Sequence, residues 1–178
     1  LMQETFSYLA GAELPCVVAD VMRGGPSTGI PTKSEQSDLN MALYGLHGDA
    51  PHLVLGALDH ADCILTAEWS VRLAEALQTV AVMLTDQYLA QSRVILPEPH
   101  YALPDIPARQ RAEPGDDYQR YALTESGVSP MAVPGTPSCG YVADGLEHDD
   151  GRVHKHPDPE GQASKRHDVE GRARAVLF

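Results

Sequence analysis

Apolar positions along the first ninety residues fall into alternating blocks. Leu1–Ala10 reads as a helix ending near Gly11, and Leu14–Ala19 is a continuous apolar run of strand length. A helical pattern from about Gln36 to Tyr44 and a short apolar run, Leu53–Leu58, come next. Asp59 or Asp62 then caps a longer helix, because an aspartate oxygen accepts from the orphan amides of a first turn. In that helix Ile64, Ala67, Val71 and Ala74 recur at three- and four-residue spacing, with Leu73 and Leu77 widening the stripe. Val80–Leu84 is a further apolar strand, stopping at Thr85 and Asp86. Strands apolar throughout, separated by amphipathic helices, predict an α/β fold: a parallel sheet with helices on both faces. The first helix opens with no cap before it, so the sheet is expected to be incomplete at the N-terminus and the chain to be a piece of something longer.

From Ile95 the pattern stops. Eight of the fourteen prolines fall between Pro97 and Pro137, and no period survives beyond a few residues. Three stretches are therefore expected: an α/β domain over 1–94, a Pro-rich irregular connector over 95–143, and a polar segment over 144–178. That last segment should carry a short terminal helix, Val169–Leu177, leading to a domain not contained here. Connectors of this composition bury little apolar surface and usually wrap a neighbour or stay mobile. No internal repeat is present.

At 178 residues the chain has room for one domain or slightly more, and 43% hydrophobic residues supply an ordinary core. A net charge of −12 opposes nucleic acid and anionic membrane as partners. Cys16, Cys63 and Cys139 form no C-x-x-C pair, which fits reduced cytoplasmic thiols and gives no local zinc or iron–sulfur signature. No signal-peptide pattern and no apolar run of bilayer length occurs in these residues.

The chemistry concentrates in Asp20–Asp38, between the first strand and the second helix. Gly24, Gly25 and Gly29 free the backbone for turns, while Pro26 and Pro31 limit how the loop collapses. Arg23, Ser27, Thr28, Thr32, Lys33, Ser34 and Ser37 bring cations and hydroxyls. Up to Ser92 there are three Lys/Arg residues against eleven Asp/Glu, and two of the three cations lie in this loop. Such a loop at the carboxyl end of a strand is where an α/β protein holds an anion. Arg23 is the first candidate, since its planar fork matches a carboxylate or phosphate through two parallel hydrogen bonds. The competing role is a surface ion pair with Asp20 or Glu35. Thr32 offers a hydroxyl to the same ligand, although on the residues alone a turn or a helix N-cap completed by Glu35 is the better account. The loop lacks both G-x-x-x-x-G-K-[ST] and G-x-G-x-x-G, so nucleotide binding is disfavoured.

Elsewhere the signals are weak. His148, Asp149, Asp150, His154 and His156 include metal-ligand types but follow no liganding pattern, and a solvated loop is the simpler account. Cys16, inside an apolar strand, reads as core. Trp69 and the tyrosines read as packing or interface groups, and no Ser/His/Asp or Cys/His arrangement is recognisable.

The stretch A-D-V-M-R-G-G-P-S-T-G-I-P-T-K-S-E-Q-S-D-L, Ala19–Leu39, resembles the alpha subunit of the 2-oxoacid:ferredoxin oxidoreductases, most closely the 2-oxoglutarate type. The likeness extends to L-M-Q-E-T at Leu1–Thr5, A-L-Y-G-L-H-G-D-A-P at Ala42–Pro51 and L-T-D-Q-Y-L-A at Leu84–Ala90. It continues through Y-A-L-T-E-S-G-V-S-P at Tyr121–Pro130, P-G-T-P at Pro134–Pro137 and G-L-E-H-D at Gly145–Asp149. These blocks are collinear over nearly the whole chain.

The resemblance implies the later part of a thiamine-diphosphate pyrimidine-binding domain. It implies an enzyme that oxidatively decarboxylates a 2-oxoacid, 2-oxoglutarate in the best-matching branch, to an acyl-CoA and CO2, with electrons passing through iron–sulfur clusters to ferredoxin. It assigns substrate contact to Arg23 and Thr32, overturning the turn or cap preference at Thr32. Thiamine diphosphate and Mg2+ would be held mainly by segments outside this chain and by a beta subunit carrying the pyrophosphate domain, in a hetero-oligomer; the cluster also lies outside. No catalytic or metal-ligating residue is assigned within the chain. Met22 stands where the family usually has Gln, and Leu46 where Arg is common. Two alternatives remain open: an inactive truncated assembly fragment, or a stand-alone anion-binding α/β module.

Overall fold

The computed structural model describes residues 2–27, 29–47, 51–98, 103, 105–115, 118–122, 124–141, 147–149 and 152–154. The chain divides into two units, Leu1–Ile106 and Pro107–Arg174.

The first unit is built on three parallel strands: β1 (Cys16–Met22), β2 (Leu53–Gly56) and β3 (Val80–Asp86), in the order β1-β3-β2. β3 is central, and its first five residues are buried. Its register runs from Cys16↔Val80 to Met22↔Asp86 on one side and from Leu53↔Ala81 to Gly56↔Leu84 on the other. The two-residue alternation of a strand sends successive side chains to opposite faces. Val82 and Leu84 therefore meet Met22, Val54 and Ala42, with Phe6 of α1 (Met2–Gly11) and Leu43 of α2 (Leu39–Tyr44) packed on them. Ala81 shares the other face with Leu53, Leu55 and Val17, under Trp69, Leu73, Ala74 and Leu77 of α3 (His60–Leu77). Helices on both faces of a parallel sheet are what the apolar pattern predicts. Each fully buried Leu or Val here contributes about 1.5–3 kcal/mol.

Local boundaries differ from the sequence expectation for identifiable reasons. β1 begins and ends later than Leu14–Ala19, because pairing with the whole of β3 carries it through Asp20 and Val21 to Met22. β2 ends at Gly56, and Leu58 is exposed, since its amide is captured by Asp62 Oδ2 at 2.8 Å. Asp59 is the cap of α3, accepting from the Asp62 amide. The core-facing residues of α3 are Thr66, Ser70 and Ala74 with Trp69, Leu73 and Leu77, whereas Ile64, Ala67 and Val71 face outward. Ser70 tolerates complete burial because its hydroxyl donates to the Thr66 carbonyl at 2.7 Å. A short helix absent from the sequence expectation, α4 (Gln87–Gln91), follows β3 directly, with Asp86 as its cap.

The second unit has little regular structure but a definite centre. Met131 donates its amide to Gln110 O (2.9 Å) and accepts from Ala112 N (3.1 Å). Ser129 Oγ donates to Ala122 O (3.0 Å), and Tyr118 OH accepts from Ala132 N (3.1 Å). Arg120, Tyr121, Ser129, Met131 and Cys139 are buried. Strands β4 (Glu147–Asp149) and β5 (Arg152–His154) form an antiparallel pair, so part of the expected solvated loop is a ribbon. The expected helix Val169–Leu177 lies outside the described residues.

Candidate functional site

The end of β1 leads straight into a loop that folds back on itself. Ile30 N donates to Gly24 O (2.6 Å), Gly24 N to Lys33 O (3.0 Å), Gly29 N to Pro26 O (3.1 Å) and Lys33 N to Ile30 O (3.1 Å). Gly24 and Ile30 thus form an isolated antiparallel bridge. Gly29 is required by this closure. Its φ is +68°, and a Cβ there would lie 1.8 Å from the Gly24 carbonyl oxygen. The Gly25–Pro26 peptide is cis.

Arg23 stands between the last residue of β1 and this bridge, at the carboxyl end of the sheet. Its side chain is exposed, and among the described residues it makes no hydrogen bond or ion pair. Neither Asp20 nor Glu35 takes the surface ion pair that the sequence left open. Thr32 is exposed in the returning turn, next to Lys33, whose carbonyl accepts from Gly24. The two sequence-predicted residues therefore flank one backbone hydrogen bond. Thr32 is not a helix cap: α2 starts at Leu39 with Asp38 at its cap position, and Glu35 accepts from Gly25 N (3.2 Å) instead of completing a capping box.

The residues that anchor this loop were not legible as such. Ser34 Oγ accepts from Tyr88 N (2.8 Å) and lies 3.4 Å from Gln87 Oε1. Gln36 Nε2 donates to Asp86 Oδ2 (3.3 Å). The polar run S-E-Q reads as the opening of a helix; only the nearness of β3's end to β1's end reveals its partners. The register pairing Met22 with Asp86 creates that nearness.

Two titratable groups of this unit, Asp20 and Cys63, are shifted by their surroundings. Burial pushes the Asp20 carboxyl up, and the Asp38 carboxylate adds to the shift. Burial also raises the Cys63 thiol, with Asp62, Asp59 and Asp86 acting in the same direction, so it stays protonated. His60 Nε2 lies 2.8 Å from Ser92 Oγ, and that hydroxyl donates to the Tyr88 carbonyl; the pair ties α3 to α4. Cys16 is half-buried within β1. Among the described residues no group of three or more His, Cys, Asp or Glu side chains is placed to hold a metal ion. His148, Asp149 and His154 sit on the β4–β5 ribbon, while Asp150 and His156 lie outside the described residues. No described helix is long and apolar enough to cross a membrane.

Residues 1–165 match the family model described as "Pyruvate flavodoxin/ferredoxin oxidoreductase, thiamine diP-bdg". The chain belongs to this family. Relatives within it include the 2-oxoglutarate oxidoreductase subunit KorA of Mycobacterium tuberculosis, 42% identical over 153 residues, covering 83% of this chain and 23% of the relative. Another is the alpha subunit of 2-oxoacid:ferredoxin oxidoreductase 2 of Aeropyrum pernix, 40% identical over 84% of this chain and 24% of its own length. The fold superposes with a TM-score of 0.79 and 40% identity on a solved 2-oxoglutarate:ferredoxin oxidoreductase from Magnetococcus marinus with 2-oxoglutarate, coenzyme A and succinyl-CoA bound. That match covers 96% of this chain and 29% of the solved one. The chain spans about a quarter of the length of each of these two curated relatives.

Proposed function

We propose that this chain supplies the substrate-carboxylate-binding loop of a thiamine-diphosphate-dependent 2-oxoacid:ferredoxin oxidoreductase, with 2-oxoglutarate as the substrate. The observation that carries this reading is the exposed guanidinium of Arg23, free of partners among the described residues at the carboxyl end of a parallel sheet. Family membership and the 2-oxoglutarate-named relatives support it. Arg23 holds the substrate carboxylate through two charge-assisted hydrogen bonds, and the Thr32 hydroxyl contributes beside it. Bound thiamine diphosphate would supply the carbanion chemistry that lets the 2-oxoacid lose CO2 and pass on electrons. The guanidinium and hydroxyls of this loop suit an anion, and among the described residues no group of three or more His, Cys, Asp or Glu is placed to hold Mg2+. The cofactor and its metal belong mainly to segments this chain does not span and to a beta subunit. The complete assembly would be a cytoplasmic hetero-oligomer that uses coenzyme A and reduces ferredoxin through an iron–sulfur cluster; the three free cysteines fit that compartment.

The test is Arg23→Ala in a complete complex. Loss of a charge-assisted contact of this kind costs about 2–5 kcal/mol of binding, seen as a large rise in KM for 2-oxoglutarate or loss of turnover. Unchanged kinetics would remove Arg23 from the site. A quarter-length chain also supports a second reading, that the isolated fragment has no turnover of its own. Viologen reduction by the isolated chain would refute it, and carboxylate binding without a partner, measured by calorimetry, would favour a stand-alone module.

A further inference from the structure

Between the loop and α2, three consecutive side chains take partners in alternation. Ser34 and Gln36 reach the β3–α4 junction at Gln87, Tyr88 and Asp86, while Glu35 reaches back ten residues to the Gly25 amide. That alternation is the period of extended chain, and it makes the segment a two-sided clamp. One side is fixed to the central strand's end. The other holds the peptide two residues beyond Arg23. Glu35 Oε2 also lies 3.4 Å from where a Gly24 Cβ would be, so the carboxylate is seated against the backbone of the Arg23 turn.

We propose that Glu35 is the positioning residue for Arg23, fixing the loop backbone so that the guanidinium meets the substrate carboxylate in one orientation. The inference rests on the assignment of Arg23 to substrate binding. A carboxylate so near an anion site is otherwise unfavourable, because it repels the 2-oxoacid. Two roles for Glu35 therefore predict opposite signs. As a mere negative charge it weakens substrate binding, and both Glu35→Ala and Glu35→Gln would improve it. As a positioning group it supports binding through an acceptor oxygen, which Gln keeps and Ala lacks.

The experiment compares Glu35→Ala, Glu35→Gln, Arg23→Ala and the Arg23→Ala/Glu35→Ala double variant in the complete complex. Glu35→Ala should raise KM for 2-oxoglutarate roughly three- to tenfold, with a smaller change in kcat. Glu35→Gln should restore KM to near the parent value, and the double variant should be no worse than Arg23→Ala alone. Hydrogen exchange of the peptide covering residues 23–36 should accelerate in Glu35→Ala and return to normal in Glu35→Gln. An unchanged or lowered KM in Glu35→Ala overturns the proposal, as does an equal effect of Ala and Gln. Arg23→Ala without effect instead overturns the assignment of Arg23. The exchange measurement separates the two failures, because it reads the hold on Gly25 without reference to substrate.

Discussion

Arg23 leaves the end of β1 exposed and unpartnered among the described residues, whereas Arg120, in the second unit, is only 2% exposed and lies with its Cζ 4.9 Å from the Tyr121 ring centroid. Tyr121 in turn packs edge-on against Tyr141, which meets Tyr118 in the same way. The surrounding chain differs as sharply. Around Arg23 the backbone satisfies itself through Gly24, Ile30 and Lys33, which leaves the side chain unused by the fold. Around Arg120 the side chain is part of what the fold buries. A guanidinium buried over an aromatic ring contributes to stability; one that the fold leaves without a partner is available to a ligand.

Arg23→Ala should cost about 2–5 kcal/mol of 2-oxoacid binding in the complete complex, yet leave stability within about 0.5 kcal/mol. A lowered unfolding midpoint would show that Arg23 is structural after all. Gly29→Ala attacks the loop without touching the cation. The φ of +68° and the clash with the Gly24 carbonyl should cost about 1–3 kcal/mol or more locally. Binding should weaken together with faster exchange across residues 23–36, and unaltered exchange would refute the role given to the turn.

Arg120→Ala should behave in the opposite way to Arg23→Ala. It should lower the stability of the second unit by about 1–2 kcal/mol, read from faster hydrogen exchange of the peptide covering residues 118–122. Fluorescence of Trp69, the single tryptophan, reports the first unit and should be unmoved.

The smallest effect is expected at Asp20. Its carboxyl is raised by burial and by Asp38, so the folded state holds the proton more tightly than the unfolded chain. The contribution to stability is full below the ordinary aspartate value and is lost as pH rises through the folded one. Asp20→Asn should therefore flatten that decline and slightly raise the melting temperature at neutral pH; a lower one would contradict the linkage.

How much of this could be read from residue order varies with the range of the interactions involved. The strands are legible because β3 is buried on both faces, so its residues need no alternation. The longer stripe of α3 misleads: Ile64, Ala67 and Val71 have the right spacing, but the sheet contacts the side bearing Thr66, Ser70 and Ala74. Spacing defines stripes and does not rank them when a helix is apolar on more than one side. Arg23 stands out by composition, in an acidic half with few cations, whereas Thr32 is singled out only through the family resemblance. Glu35 does not, because its partner is ten residues back and the geometry that joins them depends on a turn closed by Gly29.

The order of residues alone determined the alternation of strand and helix, the position of the glycine- and proline-shaped loop at a strand's end, and the family. These depend on local periodicity and on side-chain types at short spacing. Tertiary structure decided that β1 and β3 end side by side, and that Ser34, Glu35 and Gln36 brace the loop while Arg23 stays free of it. It also gave 107–141 a buried centre that no period announces. Those outcomes depend on contacts between residues tens of positions apart, which become definite only when the sheet register is fixed.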